Sequence, residues 1–162
     1  MKTSFCTALA LTLAALTLHA DNSSWEKLQA EARAQKKLVF MNFTGSDWCP
    51  RCIQFQREVE SSAYFQAYAK SNLVIAKVDF PRFYPQSPEQ HDANVNLAVQ
   101  FKILNPDGSV GFPIFLLTDA DGKDIGRWQG YPPGLGPTNF VAALEAARTN
   151  AAAKSPAIAT PK

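Results

Sequence analysis

Cysteine is scarce in this chain, three in 162 residues, and the first, Cys6, falls in an apolar leader. One close pair remains, Cys49 and Cys52. It cannot staple a scaffold, because a two-residue loop restrains almost nothing in the unfolded chain. Histidine is scarcer, with two residues. A zinc centre needs four ligands, and His91 stands far along the sequence from the cysteines. Neither sign of charge dominates: the formal net charge is +2, and no basic cluster is interleaved with aromatics. Nucleic acid and acidic membrane surfaces are therefore not expected as partners. The apolar stretch from Phe5 to Leu18 is too short to span a bilayer comfortably, and there is no internal repeat.

What is present fits one globular domain. The length allows a real core, and the composition is ordinary, 46% hydrophobic and 19% charged. Lys2, the apolar run to Leu18 and small Ala20 before Asp21-Asn22-Ser23-Ser24 have the shape of a secretory signal. The expected organisation is a signal peptide over 1–20, a domain over 21–150 and a disordered Ala/Pro-rich tail over 151–162. The expected location is periplasmic or secreted.

Periodicity predicts a first helix from Trp25 to Lys37, capped by Ser23 or Ser24, with Trp25, Leu28 and Ala32 on one face. Leu38 to Phe43 is a buried strand. Pro50 opens a helix, where its missing N–H costs nothing; Cys52, Phe55 and Val59 face inward and Gln54, Arg57 and Glu58 outward. A further helical piece follows Ser61-Ser62, and Leu73 to Phe80 is the second strand. The loop from Pro81 to Pro85 is expected to pack its own aromatics. Glu89 to Phe101 is helical, with Val95, Ala98 and Val99 buried. Asn105 to Gly108 is a turn, Pro113 to Thr118 and Ile125 to Trp128 are strands joined at Asp121-Gly122, and Pro137 to Asn150 is a closing helix. The fold class is α/β: a mixed sheet of about four strands with helices on both faces, the first two strands parallel and the last pair antiparallel.

Cys49-Pro50-Arg51-Cys52 sits where the first strand passes into a helix. Two sulfurs in the first turn of a helix can converge, and the unpaired N–H groups and positive dipole end there favour a thiolate. Arg51 acts in the same direction and Asp47 against it. A C-x-x-C at this junction is a redox signature.

The segments NFTGSDWCPRC (Asn42 to Cys52), KVDFP (Lys77 to Pro81), GFP (Gly111 to Pro113) and DADGK (Asp119 to Lys123) occur in an order that resembles the thioredoxin superfamily. In particular they resemble the small exported thioredoxin-like proteins of bacteria, over Trp25 to Asn150. The resemblance implies a three-layer sandwich and a thiol–disulfide oxidoreductase. Cys49 would attack and Cys52 resolve. The Phe112–Pro113 bond would be cis, with the Phe112 backbone pairing an extended substrate beside Trp48. Pro50 and Arg51 would tune the couple. Many thioredoxins carry a proton-relaying Asp where Asn42 stands; Asn accepts no proton, so water, Lys77 or another group must serve. The stretch from Lys102 to Val110 is longer than the usual link before the GFP segment and is expected to alter the substrate groove. Expected partners are protein thiols and disulfides, together with a soluble or membrane-linked redox partner. The chain is expected to be a monomer and to use no metal and no cofactor beyond the Cys49–Cys52 disulfide. A non-catalytic thioredoxin-fold adaptor is the competing reading.

Overall fold

The computed structural model describes residues 25–105 and 109–154. The leader, the two candidate cap serines, part of the 105–108 turn and the tail from 155 onward lie outside the described residues. The elements run α1 (Trp25–Gln35), β1 (Leu38–Thr44), α2 (Pro50–Phe55), a π-helical turn (Gln56–Glu60), α3 (Ala63–Asn72), β2 (Leu73–Asp79), α4 (Pro88–Gln100), β3 (Ile114–Thr118), β4 (Asp124–Gln129) and α5 (Gly136–Lys154).

The strands form one sheet in the order β2-β1-β3-β4. β1 and β2 are parallel, from Leu38 opposite Leu73 to Thr44 opposite Asp79. They are linked through α2 and α3, because a parallel connection needs a crossover. β3 is antiparallel to both β1 and β4. Alternation along central β1 sends side chains to both faces, and both are covered, so the strand reads as an apolar run. Val39, Met41 and Phe43 pack with Val74, Val78 and Leu116 under α1 and α4. Phe40 packs with Phe115 and Leu117 under the opposite layer, which comprises α2, the π-helical turn, α3 and α5. Phe55 centres that second core, its ring 4.3 Å from Phe115, 4.9 Å from Phe140 and 5.4 Å from Tyr131.

Several boundaries and faces differ from those read in the sequence. α5 continues through Ala151 to Lys154, where the disordered tail was expected to begin, because the Ala-rich run keeps a high helix propensity. The buried face of α4 is Asn94, Leu97 and Ala98, whereas Val99 is exposed. Asn94 takes the inward position because its amide donates to the Asp79 carbonyl at 2.7 Å, closing the end of β2. Glu58 is half-buried rather than outward, since its carboxylate accepts from Tyr131 Oη at 2.9 Å. The π-helical turn has no signature in hydrophobic periodicity. The Ser61 N–H donates back to the Gln56 carbonyl at 3.0 Å, and the Ser61 hydroxyl reaches the same oxygen.

Candidate redox site

β1 ends at Thr44, and the chain turns through Gly45-Ser46-Asp47-Trp48 into α2. Gly45 is buried beneath the Trp48 indole, which any Cβ at that position would overlap. Trp48 and Cys49 both donate their N–H to the Gly45 carbonyl, at 3.3 and 2.9 Å, so the turn delivers Cys49 to the head of the helix. The Ser46 N–H and hydroxyl bond the Asp79 carboxylate, tying this turn to the end of β2.

Cys49 is the N-cap of α2, with extended backbone angles and Pro50 at the next position. Its Sγ accepts the Cys52 N–H at 3.3 Å, so the sulfur takes the place of an oxygen cap at the positive end of the helix. Cys49 and Cys52 form a disulfide with a Cα–Cα distance of 5.2 Å. Cys49 keeps 6% of its surface and Cys52 2%. The Phe112 carbonyl oxygen lies 3.6 Å from Cys49 Sγ, and the Phe112–Pro113 peptide is cis. Arg51 is exposed and bonds Gln54.

Trp48 donates its indole N–H to the Phe80 carbonyl at 2.8 Å. Asp47, expected to act on the thiol as a charge, also anchors a loop. Its carboxylate accepts the backbone N–H groups of Arg82, Phe83 and Tyr84, the shortest at 2.7 Å. Partial burial pushes this carboxyl upward, but these three N–H donors together with the Asp47 N–H outweigh it and hold the pKa below the ordinary value. The anchored loop sets the Arg82 guanidinium 3.6 Å over the Trp48 ring. The loop does not pack its own aromatics: Phe83 is 75% and Tyr84 70% exposed. Its backbone donors are spent on Asp47, and both rings are left in solvent.

Asn42 is buried on β1, between Lys77 of β2 and Phe115 of β3. Its amide donates to Glu60 Oε1 at 2.7 Å, and its own Oδ1 is buried without a partner. Glu60 reaches Asn42 from the last residue of the π-helical turn. Lys77 is exposed on the edge strand and lines a groove with Glu60, Lys70 and Ile75. Sequence reasoning missed Glu60, Asp47 as a loop anchor, and Arg82. The sequence carries a signal for Asp47, a carboxylate next to the C-x-x-C, but not for its partners 35 residues on. Among the described residues, no group of three or more His, Cys, Asp or Glu could hold a metal ion. No helix among them is long and apolar enough to cross a membrane.

A disulfide capping a helix off the central strand, with the carbonyl that precedes a cis-proline against it, defines a thiol–disulfide oxidoreductase. The chain belongs to the family of thioredoxin-like domains, whose match covers residues 25–148. It is 37% identical over 121 residues to the disulfide bond reductase DsbH of Chlamydia pneumoniae, covering 72% of this chain and 68% of that one. A solved structure of a DsbH oxidoreductase superposes with a TM-score of 0.68 at 32% identity, over 78% of this chain and 82% of the other. A thioredoxin from Thermus thermophilus shares the fold, with a TM-score of 0.51 at 20% identity over 79% and 84% of the two chains.

Proposed function

We propose that this chain reduces disulfides of client proteins in the periplasm or another exported compartment, with Cys49 as attacking sulfur and Cys52 as resolving sulfur. In the reduced protein the Cys49 thiolate attacks one sulfur of the client disulfide, the client S–S bond breaks, and one client thiolate leaves and takes up a proton. The Cys52 thiolate then attacks Cys49 Sγ, the mixed disulfide breaks, and the second client thiol departs. The client gains two electrons and two protons, and the chain is left as the Cys49–Cys52 disulfide. An external dithiol, soluble or membrane-linked, restores it.

The observation that carries this reading is the Cys49 sulfur acting as N-cap and accepting the Cys52 N–H. That donor and the helix dipole favour a thiolate by about 1 kcal/mol. Arg51 adds positive potential and Pro50 fixes the first turn. Trp48, Phe112 and Pro113 form the walls of the client site, the Phe112 backbone offering an extended segment a pairing edge. The reductive direction draws on the similarity to a chain named for disulfide reduction. Asn42 cannot take the Cys52 proton, so water carries it, with Lys77 and Glu60 as the ionisable groups flanking Asn42. The domain follows the leader over 1–20 and runs to the end of α5 at Lys154, and it works as a monomer with its disulfide as sole redox group.

The test is insulin reduction driven by a dithiol. Cys49→Ser should abolish it while far-ultraviolet circular dichroism stays unchanged. Equal turnover by the variant would remove Cys49 as the attacking sulfur, and none by the parent chain would favour the adaptor reading.

A further inference from the structure

The two edges of the sheet are built differently. At β4 the register against β3 shifts beside Leu117 and Thr118, and the Arg127 guanidinium donates to the Phe101 and Lys102 carbonyls. An irregular register of this kind keeps a sheet edge from pairing further. β2, at the other edge, holds an unbroken register with β1 from Leu73 to Asp79. Among the described residues no strand pairs with its outer side, where an edge strand presents a row of N–H and C=O groups.

Both faces beside that edge are hollow. Towards α3 lies the groove of about 430 Å³, floored by Phe65, Ala69 and Leu73, with Ile75 standing 45% exposed in it. Towards α4 a second hollow of about 150 Å³ opens beside Ala76, with Gln90 and Asn94 on its wall. An added strand sends alternate side chains to opposite faces. Each set would find space here, apolar on the α3 side and partly polar on the α4 side. Lys70, in the last turn of α3, stands by the start of β2, and Lys77 stands near its end. Lys37 adds a third positive charge through its bond to the Lys70 carbonyl. Glu60, the one carboxylate lining the larger groove, accepts the Asn42 amide.

We propose that the outer edge of β2 is a docking surface for an extended segment of a partner protein, which adds as a further strand with apolar side chains towards α3 and acidic residues at both ends. Main-chain bonds would supply the affinity and the two hollows the selectivity. The lysines argue against a second copy of this chain. A two-fold pairing of β2 edges runs antiparallel and brings the Lys77 end of one copy to the Lys70 end of the other, and like charges directly opposed destabilise a strand pair. The surface is distinct from the client site: β1 lies between β2 and β3, and none of Trp48, Phe112 and Pro113 lines either hollow.

The probe is a blocked peptide, Glu-Thr-Ile-Thr-Ile-Thr-Glu, which puts both Ile and both Glu side chains on one face. Fluorescence anisotropy gives its affinity and amide exchange gives its place. Alternate amides between Val74 and Val78 should gain protection on binding. Lys in place of both Glu residues should weaken binding about fivefold, and Ala in place of both Ile residues about tenfold or more. N-methylation along the pairing edge should abolish it. In Lys70→Glu the preference for the acidic peptide over the basic one should fall towards one; this ratio is internal to one protein, so partial loss of folded material cancels. Cys49→Ser should bind as the parent does, which separates this surface from the redox reading. No binding by the folded parent, equal affinity for the N-methylated peptide, or protection at Phe112 and β3 instead of β2 would overturn the proposal. A dimer in sedimentation with β2 amides already protected would assign the edge to a second copy and overturn it as well.

Discussion

Replacing Asn42 by Asp puts a second carboxyl against Glu60 inside the fold. In the native chain the Asn42 amide donates to Glu60 Oε1 at 2.7 Å, with Asn42 only 2% exposed. Asn42→Asp turns that donor into an acceptor, so at neutral pH two carboxylates face each other at hydrogen-bond distance. Such a pair cannot hold both charges cheaply. A buried, uncompensated charge costs about 3 kcal/mol or more, and the pair relieves it by keeping a proton, which raises the new carboxyl above its unfolded value. The sign follows from linkage. Below the unfolded carboxylate range, near pH ~4, the group is neutral in both states and the variant pays little. As pH rises through the higher folded value, the native state holds a proton that the unfolded chain has lost, and stability falls. Urea unfolding of the parent and Asn42→Asp should therefore show a small gap near pH ~4 that widens to about 3 kcal/mol by pH ~8. A gap constant across that range would refute the contact with Glu60.

Other consequences are as direct. Phe55→Ala removes the ring that touches Phe115, Phe140 and Tyr131 in the second core, and urea unfolding should register a loss of about 3–5 kcal/mol. A loss below 1 kcal/mol would mean that the core there is loose. Asp47 has a depressed pKa, so its hold on the loop is present above the unfolded carboxylate range and lost as pH falls through the folded value. Amide protection factors at Arg82, Phe83 and Tyr84 should drop in Asp47→Ala and, in the parent chain, at acid pH; unchanged factors would contradict the anchor. Tyr131→Phe deletes the bonds to Glu58 and from the Gly136 N–H. It should cost about 1 kcal/mol in the same unfolding assay.

The layers were legible because their signals are local. Val39, Met41 and Phe43 alternate with Phe40 on a strand buried on both faces, and that pattern reads as an apolar run whichever face each residue takes. Cys49, Pro50 and Cys52 announce a helix start by residue type alone. What stayed hidden depends on partners distant in sequence. Asn94 displaces Val99 from the face of α4 because of a carbonyl 15 residues earlier. Asp47 was legible as a charge beside a thiol, yet three N–H groups in the 82–84 loop claim it. Glu60 meets Asn42 from the end of a π-helical turn, and hydrophobic periodicity carries no mark of such a turn. The Asn42 departure was visible, but the group standing against it was not.

The most direct test of the central claim is intact-mass and peptide mapping of the Cys52→Ser protein after exposure to a disulfide-containing client. The account predicts a covalent adduct of one client chain on Cys49, released by dithiothreitol. An unmodified Cys49, still free to react with iodoacetamide after that exposure, would contradict it.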